Sequence, residues 1–288
     1  MLAWLTTWWP RRAPIITGSV GIQYLSGEVI DSGADESQLA VYFYSPSGWV
    51  ELPTFLDAKV DFASASSRGP GIYALLASVP LRLANSGWNL IAYPILGARP
   101  VTQALHSING SYTTVYGFEV NDADDPWKVY DVAAPSYVND LSELAFGQSY
   151  WVRATRPITL YLDPSKDNAL AANALEPMMS TPSALPFTIY GVVRGDLSLK
   201  PAAGMSVVAT INGEICGETE TMSYQGQIVY TLNVLADIGG DTAGCGVVGR
   251  SAEIEINGKP LGSVSLRESG QVRQANMPPR LYLPLVRR

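Results

Sequence analysis

Between Ser86 and Thr159 the chain repeats one pattern, a short apolar and aromatic run closed by turn residues, and this spacing leaves little room for anything but strands. The runs are Gly87-Trp88-Asn89-Leu90-Ile91-Ala92-Tyr93-Pro94, Trp127-Lys128-Val129-Tyr130-Asp131, Asp140-Leu141-Ser142-Glu143-Leu144 and Gly147-Gln148-Ser149-Tyr150-Trp151-Val152. A βα repeat would need helical periods of ten or more residues between strands, and they are missing. The stretch predicts an all-β domain, with further β modules on either side.

Upstream, strand-like runs occupy residues 20–30, 39–44, 48–53 and 71–76. Ser45-Pro46-Ser47-Gly48 is a turn by its Pro and Gly content, so the second and third runs are expected to form a hairpin. About four or five strands fit here, fewer than the usual seven of an immunoglobulin-type sandwich, which suggests a partial sandwich completed by its neighbour. One short helix is expected over 100–108, where Val101, Leu105 and Ile108 share a face and Asn109-Gly110 supplies a stop. After it, 112–120 alternates like a half-buried strand and leads into the turn Asn121-Asp122-Ala123-Asp124-Asp125-Pro126.

From 163 to 186 the pattern dissolves into Asp, Ser, Asn, Ala and Pro. A brief helix over 169–175 is one reading. A linker is the better one, given Pro164, Pro177, Pro182 and Pro186; as a flexible coil of about 20 residues it would span roughly 25 Å. Strands return over 187–193, 205–211, 228–234 and 252–256, and the pairs Asn212-Gly213 and Asn257-Gly258 are strong hairpin signals. The expected layout is a leader at 1–19, a partial immunoglobulin-like segment at 20–80, a small β-rich module at 81–162, a linker at 163–186, a β-sandwich at 187–275 and a tail strand at 276–288. The fold class is thus all-β, tandem β-sandwich modules with one short helix.

Charged residues make up 16% of the chain, below the roughly 25% of an average domain, and the net charge is −7. Nucleic acid is therefore not an expected partner, because phosphate binding needs clustered Lys and Arg. No run reaches the roughly 20 apolar residues that span a bilayer, so no transmembrane segment is expected. The N-terminus is apolar first and basic second, through Trp8-Trp9-Pro10-Arg11-Arg12, the reverse of a secretory signal. Either export is signalled by residues missing here, or the start is internal or misplaced, or the segment is an apolar leader packed on the first domain.

Gly87-Trp88-Asn89-Leu90 with Tyr93-Pro94, Trp127, Tyr130 and Tyr150-Trp151-Val152 resembles a small β-rich module recurrent in large secreted and surface proteins of bacteria. Residues 39–76 resemble the immunoglobulin-like segments that often precede it. The part from Phe187 to Asn276, with Pro201-Ala202-Ala203-Gly204-Met205, Asn212-Gly213, Cys216-Gly217 and Ile256-Asn257-Gly258, is similar to the transthyretin-type or carboxypeptidase-regulatory-type sandwich. Tyr282-Leu283-Pro284-Leu285-Val286 is similar to short tails of exported proteins in certain filamentous bacteria. The resemblance implies an extracellular or cell-surface location and an accessory role, and it brings no catalytic residues.

In such a setting Cys216 and Cys245, the only cysteines, are expected to form a disulfide, with two buried thiols as the alternative. A metal site there lacks a neighbouring histidine. His106, the sole histidine, stands without a Gly-x-Ser-x-Gly elbow and is expected on the surface. Asn121, Asp122, Asp124 and Asp125 gather oxygen ligands as calcium requires, but without the Gly and Glu spacing of an EF-hand; a solvated turn is the competing reading. Trp49, Trp88, Trp127 and Trp151 read as core packing, with stacking faces for sugar rings as the alternative; Trp127 after the acidic turn is the first candidate among them for exposure, with Tyr130 beside it. The tail reads as an edge strand, as a strand added to another subunit, or as a sorting signal.

These features lead to an expectation of a non-enzymatic exported surface protein with a structural or adhesive role, whose partner is a cell-surface or extracellular protein or glycan, with self-association through the terminal strand. The alternative is a carbohydrate-binding accessory module that stacks glycans on exposed aromatics. A hydrolase comes third, since no positioned nucleophile, base or metal set is visible.

Overall fold

The computed structural model describes residues 18–31, 34–46, 48–95, 97–162, 184–195 and 199–278. The leader through residue 17, the part of the expected linker at 163–183 with its helix alternative at 169–175, and the tail from 279 lie outside the described residues, whereas Leu185, at the linker's expected end, is buried in a core. The described residues fall into two compact units: those of 1–82, 95–97 and 159–172, and those of 83–94, 98–158 and 173–288. The fold is all-β, as expected, and among the described residues it holds two short α-helices rather than one.

In the first unit, β1 (Ser19–Gln23) is followed by α1 (Ser26–Asp31), so the strand-like run expected at 20–30 breaks in its middle. The break has a tertiary cause: Tyr24 N–H donates to Asp61 O, and Gln23 Nε2 donates to Val60 O and Asp61 O, which ties off β1 at the turn of residues 58–61. Next come β2 (Leu39–Ser45), β3 (Gly48–Glu51), β4 (Thr54–Asp57), β5 (Phe62–Ser66), β6 (Tyr73–Ala77) and β7 (Val79–Leu83). The hairpin expected between the second and third runs is formed by β2 and β3, with Tyr44 opposite Trp49. Two three-stranded sheets, β1-β5-β4 and β3-β2-β6, enclose Val41, Leu52, Ala63 and Ala65. Thr54 links them, its hydroxyl accepting from Val41 N–H and donating to Leu52 O. β4 and β5 escape a reading by hydrophobicity because the inward positions of β5 are alanines, small enough to let the sheets approach.

The second unit opens with β8 (Gly87–Ala92), β9 (Ala98–Pro100), α2 (Val101–Ala104), β10 (Tyr112–Phe118), β11 (Trp127–Asp131), β12 (Glu143–Ala145) and β13 (Ser149–Ala154). α2 runs into a 3-10 turn, His106–Ile108, and buries Val101, Leu105 and Ile108 as the spacing predicts. One antiparallel sheet has the order β11-β10-β13-β8, and β12 pairs with β9. β10 is central in that sheet and buried on both faces, not half-buried as its alternation suggests. β14 (Ile158–Leu162) then returns to pair with β7.

The remainder is β15 (Phe187–Val192), β16 (Ser206–Ile211), β17 (Glu214–Glu220), β18 (Met222–Tyr224), β19 (Gln227–Val234), β20 (Ser251–Ile256), β21 (Lys259–Ser265) and β22 (Val272–Gln274). Two four-stranded sheets, β18-β19-β15-β22 and β17-β16-β20-β21, form a sandwich around Phe187, Ile189, Val207, Ile211, Tyr230, Leu232, Ile254 and Ile256. Both Asn-Gly pairs turn as the sequence dictates: φ is +55° and +89° at Asn212-Gly213, and +49° and +71° at Asn257-Gly258. Positive φ at both central residues is the two-residue hairpin geometry that matches strand twist.

Within the second unit, the β11-β10-β13-β8 sheet and the sandwich share a core. Tyr116, Trp127, Val129 and Val138 pack with Leu185, and Trp88, Phe118, Trp151, Tyr190, Leu235 and Val272 close around them. Trp88, Tyr116, Phe118, Trp127 and Trp151 lie on one face of the β11-β10-β13-β8 sheet, so the aromatic runs that announce this module are what fuses it to its neighbour.

Candidate functional site

The joint between that aromatic face and the sandwich is held by a buried polar relay. The Tyr116 hydroxyl donates to Thr188 Oγ1 at 2.7 Å, and Thr188 Oγ1 donates to Asn233 Oδ1 at 2.7 Å. Asn233 Nδ2 continues it to Asp125 Oδ1 and to Trp127 O, both at 3.0 Å. Tyr116 and Thr188 are fully buried, and burial raises the Tyr116 hydroxyl far above the ordinary phenol range. Groups so enclosed must find partners, and the relay supplies them from both halves. At the other end Trp88 Nε1 donates to Ser269 O at 3.1 Å, and Arg153 pairs with Glu268 at 2.6 Å. Gly270 sits against the Trp88 ring where any Cβ would collide with it.

Beside the relay lies a cavity of about 580 Å³, lined on one wall by Asp124, Asp125, Lys128 and Asp140, and on the other by Glu218, Glu220 and Asn233. Its volume falls within the range of small-molecule sites. Lys128 Nζ bridges Asp122 at 2.8 Å and Asp125 at 3.3 Å. The Lys128 hydrogen bond, helped by the Asp125 amide, holds the Asp122 carboxyl below its ordinary value. Asp140 is exposed, and its Oδ1 accepts from Val129 N–H at 2.6 Å. The protein surrounding it pushes its carboxyl up to about 6, Asp125 adding to the effect and the Val129 amide and Lys128 opposing it.

Trp127 and Tyr130 do not form an aromatic platform, in line with the core-packing reading. Trp127 is 4% exposed, its ring edge-on to Tyr116 and Phe118 at 6.0 and 5.1 Å, because the sandwich covers the face it occupies. Tyr130 is half-buried on the opposite face of β11, next to Tyr112, whose hydroxyl is pushed up to about 12 by burial first and by Tyr130 second. Residues three apart on a strand point to opposite sides, so the two could never have formed one stacking surface. Among the four oxygen ligands proposed for calcium, Asp122 and Asp125 are engaged by Lys128, and a bound ion would have to displace that ammonium. Among the described residues no group of three or more Asp, Glu, His or Cys side chains is placed to hold a metal ion. His106 is exposed at the end of α2, as expected.

Cys216 of β17 and Cys245 are joined in a disulfide with Cα atoms 5.3 Å apart, and both are buried. The bridge fastens the long connection between β19 and β20 to β17, with Leu235 N–H donating to Cys216 O beside it. No helix among the described residues is long and apolar enough to cross a membrane.

Reasoning from sequence missed Lys128, Asp140, Asn233, Glu218 and Thr188. Lys128, three residues after Asp125, carries a local signal for an ion pair. The others have none, since Thr188 and Asn233 meet Tyr116 and Asp125 only through a fold that brings together positions 72 and 108 residues apart.

Comparison with family models, with curated proteins and with solved structures finds no match to this chain. The fold and the site therefore define its class on their own terms: an all-β protein with a disulfide-bonded sandwich fused through an aromatic face to a second sheet.

Proposed function

We propose that this chain is a non-enzymatic exported surface protein with a structural or adhesive role. The observation that carries the reading is the closed Cys216–Cys245 bridge in an all-β fold, because disulfides persist in oxidising compartments outside the cytosol. Two further features support it. The joint between the two sheets is fixed by apolar packing and a complete hydrogen-bond relay, which suits a part that transmits load or presents loops at a constant geometry. The aromatic side chains that would have served glycan stacking through Trp127 are taken up in that joint, so adhesion would run through loops and strand edges. The partner is a cell-surface or extracellular protein or glycan, and the proposed location is the bacterial cell surface.

The test is made on the protein in its native cells. Alkylation without reductant should leave Cys216 and Cys245 unmodified, and protease added to intact cells should remove the protein. Free thiols at both positions together with protection from the protease would refute export. A pull-down against cell-wall preparations and insoluble polysaccharides tests adhesion, and retention on none of them removes the adhesive half of the reading.

A further inference from the structure

On the face of the β11-β10-β13-β8 sheet turned away from the sandwich lies a second cavity, of about 310 Å³. Gly117 of β10 and Tyr150 of β13 pair in register, and a Cβ at Gly117 would come within 3.2 Å of the Tyr150 ring. The absent side chain lets that ring and Leu141 form a low, buried floor. Around it stand four exposed polar side chains: Glu119 and Asn121 from the segment after β10, Glu143 from β12, and Gln148 from the turn between β12 and β13. The backbone of this rim is fixed, since Glu119 N–H donates to Pro126 O at 2.7 Å and Gln148 O accepts from Tyr93 N–H at 2.9 Å. The four side chains themselves make no hydrogen bond among the described contacts, so their polar atoms are open to a ligand.

The donors and acceptors present narrow what that ligand is. No Lys, Arg or His is among the described lining residues, so an anion meets no counter-charge. Ionised Glu119 and Glu143 can only accept hydrogen bonds. Tyr150 is 5% exposed; its hydroxyl accepts from Ala145 N–H at 2.8 Å, and its own hydrogen has no acceptor among the described contacts. Burial pushes that phenol up, the Ala145 amide opposes the rise, and Glu119 and Glu143 both add to it, so the two carboxylates lie within electrostatic reach of one hydroxyl. An ammonium or guanidinium would answer the carboxylates but has no lone pair for the Tyr150 hydrogen. A hydroxyl does both. We propose that this cavity binds one ring of a neutral sugar, whose adjacent hydroxyls donate to Glu119 and Glu143 and accept from Tyr150, Asn121 and Gln148. A peptide unit offers one donor and one acceptor, too few for this rim, whereas a hexose carries a hydroxyl on most of its carbons. The volume lies at the lower end of the range for small-molecule sites, as a single ring requires. The proposal rests on the adhesive reading above and names a glycan as the partner.

Isothermal titration calorimetry and ligand-observed NMR on the purified full chain test the site, with glucose, galactose, mannose, N-acetylglucosamine, cellobiose and lactose at millimolar concentration as probes. At least one should bind the wild-type chain. Glu119→Ala and Glu143→Ala should each weaken that binding about tenfold, and Gln148→Ala by less, because hydrogen bonds to charged groups are the stronger ones. Tm should not change, since these side chains are exposed and make no described hydrogen bond. His106→Ala, exposed and outside the lining, should bind as the wild type does. Absence of binding by every probe, or binding that survives Glu119→Ala and Glu143→Ala combined, overturns the proposal. A lysine-rich peptide held more tightly than every sugar would assign the cavity to cations and overturn it as well. If either alanine lowers Tm, Glu119→Gln and Glu143→Gln, which keep the size of the side chain, decide in the same way. Retention on cell-wall preparations with no sugar bound would leave the adhesive reading and remove this site, so the two fall separately.

Discussion

Replacing Trp127 with alanine separates a structural tryptophan from a recognition tryptophan, because the two roles predict opposite outcomes for the fold. In the structure the indole is 4% exposed, packs edge-on against Tyr116 and Phe118, and lies in the core shared by the β11-β10-β13-β8 sheet and the sandwich. Truncating a buried tryptophan costs about 3–5 kcal/mol, from lost transfer free energy and the cavity left behind. For a unit of this size each kcal/mol lowers Tm by roughly 2–4 °C, so the variant should melt about 6–20 °C below the parent. Near-UV circular dichroism during a thermal ramp follows this directly. Trp127→Phe, which retains an aromatic edge toward Tyr116, should recover much of the loss. A melting temperature unchanged in Trp127→Ala would show that the ring carries no packing and would refute the fused core.

Three other substitutions probe the same construction. Thr188→Val removes the middle of the relay and leaves the Tyr116 hydroxyl without its acceptor, so it should destabilise by about 1–3 kcal/mol in urea unfolding, with an unchanged m-value. Replacing Cys216 and Cys245 together by serine opens a link spanning 29 residues and should cost about 3–4 kcal/mol, read as a lower Tm that reductant no longer affects. Gly217→Ala should cost about 1–3 kcal/mol, since its new Cβ would meet Asn233 O where β17 crosses β19, and the loss should appear as earlier unfolding of the sandwich in calorimetry.

How far the sequence could be read depended on the distance between interacting residues. The hairpins at Asn212-Gly213 and Asn257-Gly258 were legible because positive φ is a property of the dipeptide and its immediate neighbours. The buried face of α2 was legible for the same reason, Val101, Leu105 and Ile108 being one turn apart. β5 was hidden because Ala63 and Ala65 give little hydrophobic contrast, although their alternation is regular. Residues 20–30 read as one strand until Asp61, far along the chain, ended β1 at Gln23. The parity of Trp127 and Tyr130 was available from the strand period and excluded a joint platform without any structure.

By itself the sequence determined the class of this protein: all-β, strands punctuated by Gly, Pro and Asn, and two cysteines suited to a bridge. Those properties follow from local backbone preference and residue chemistry, which act over a few positions. Only the tertiary structure decided what the aromatic runs are for. A tryptophan on an amphipathic strand has the same local pattern whether its face meets solvent or another sheet, and the choice rests with Leu185, Tyr190 and Val272, residues that no local signal connects to it. The same holds for the acidic cavity, where Asp124, Asp125, Lys128 and Asp140 share a lining with Glu218 and Glu220 of β17, residues far away in the chain.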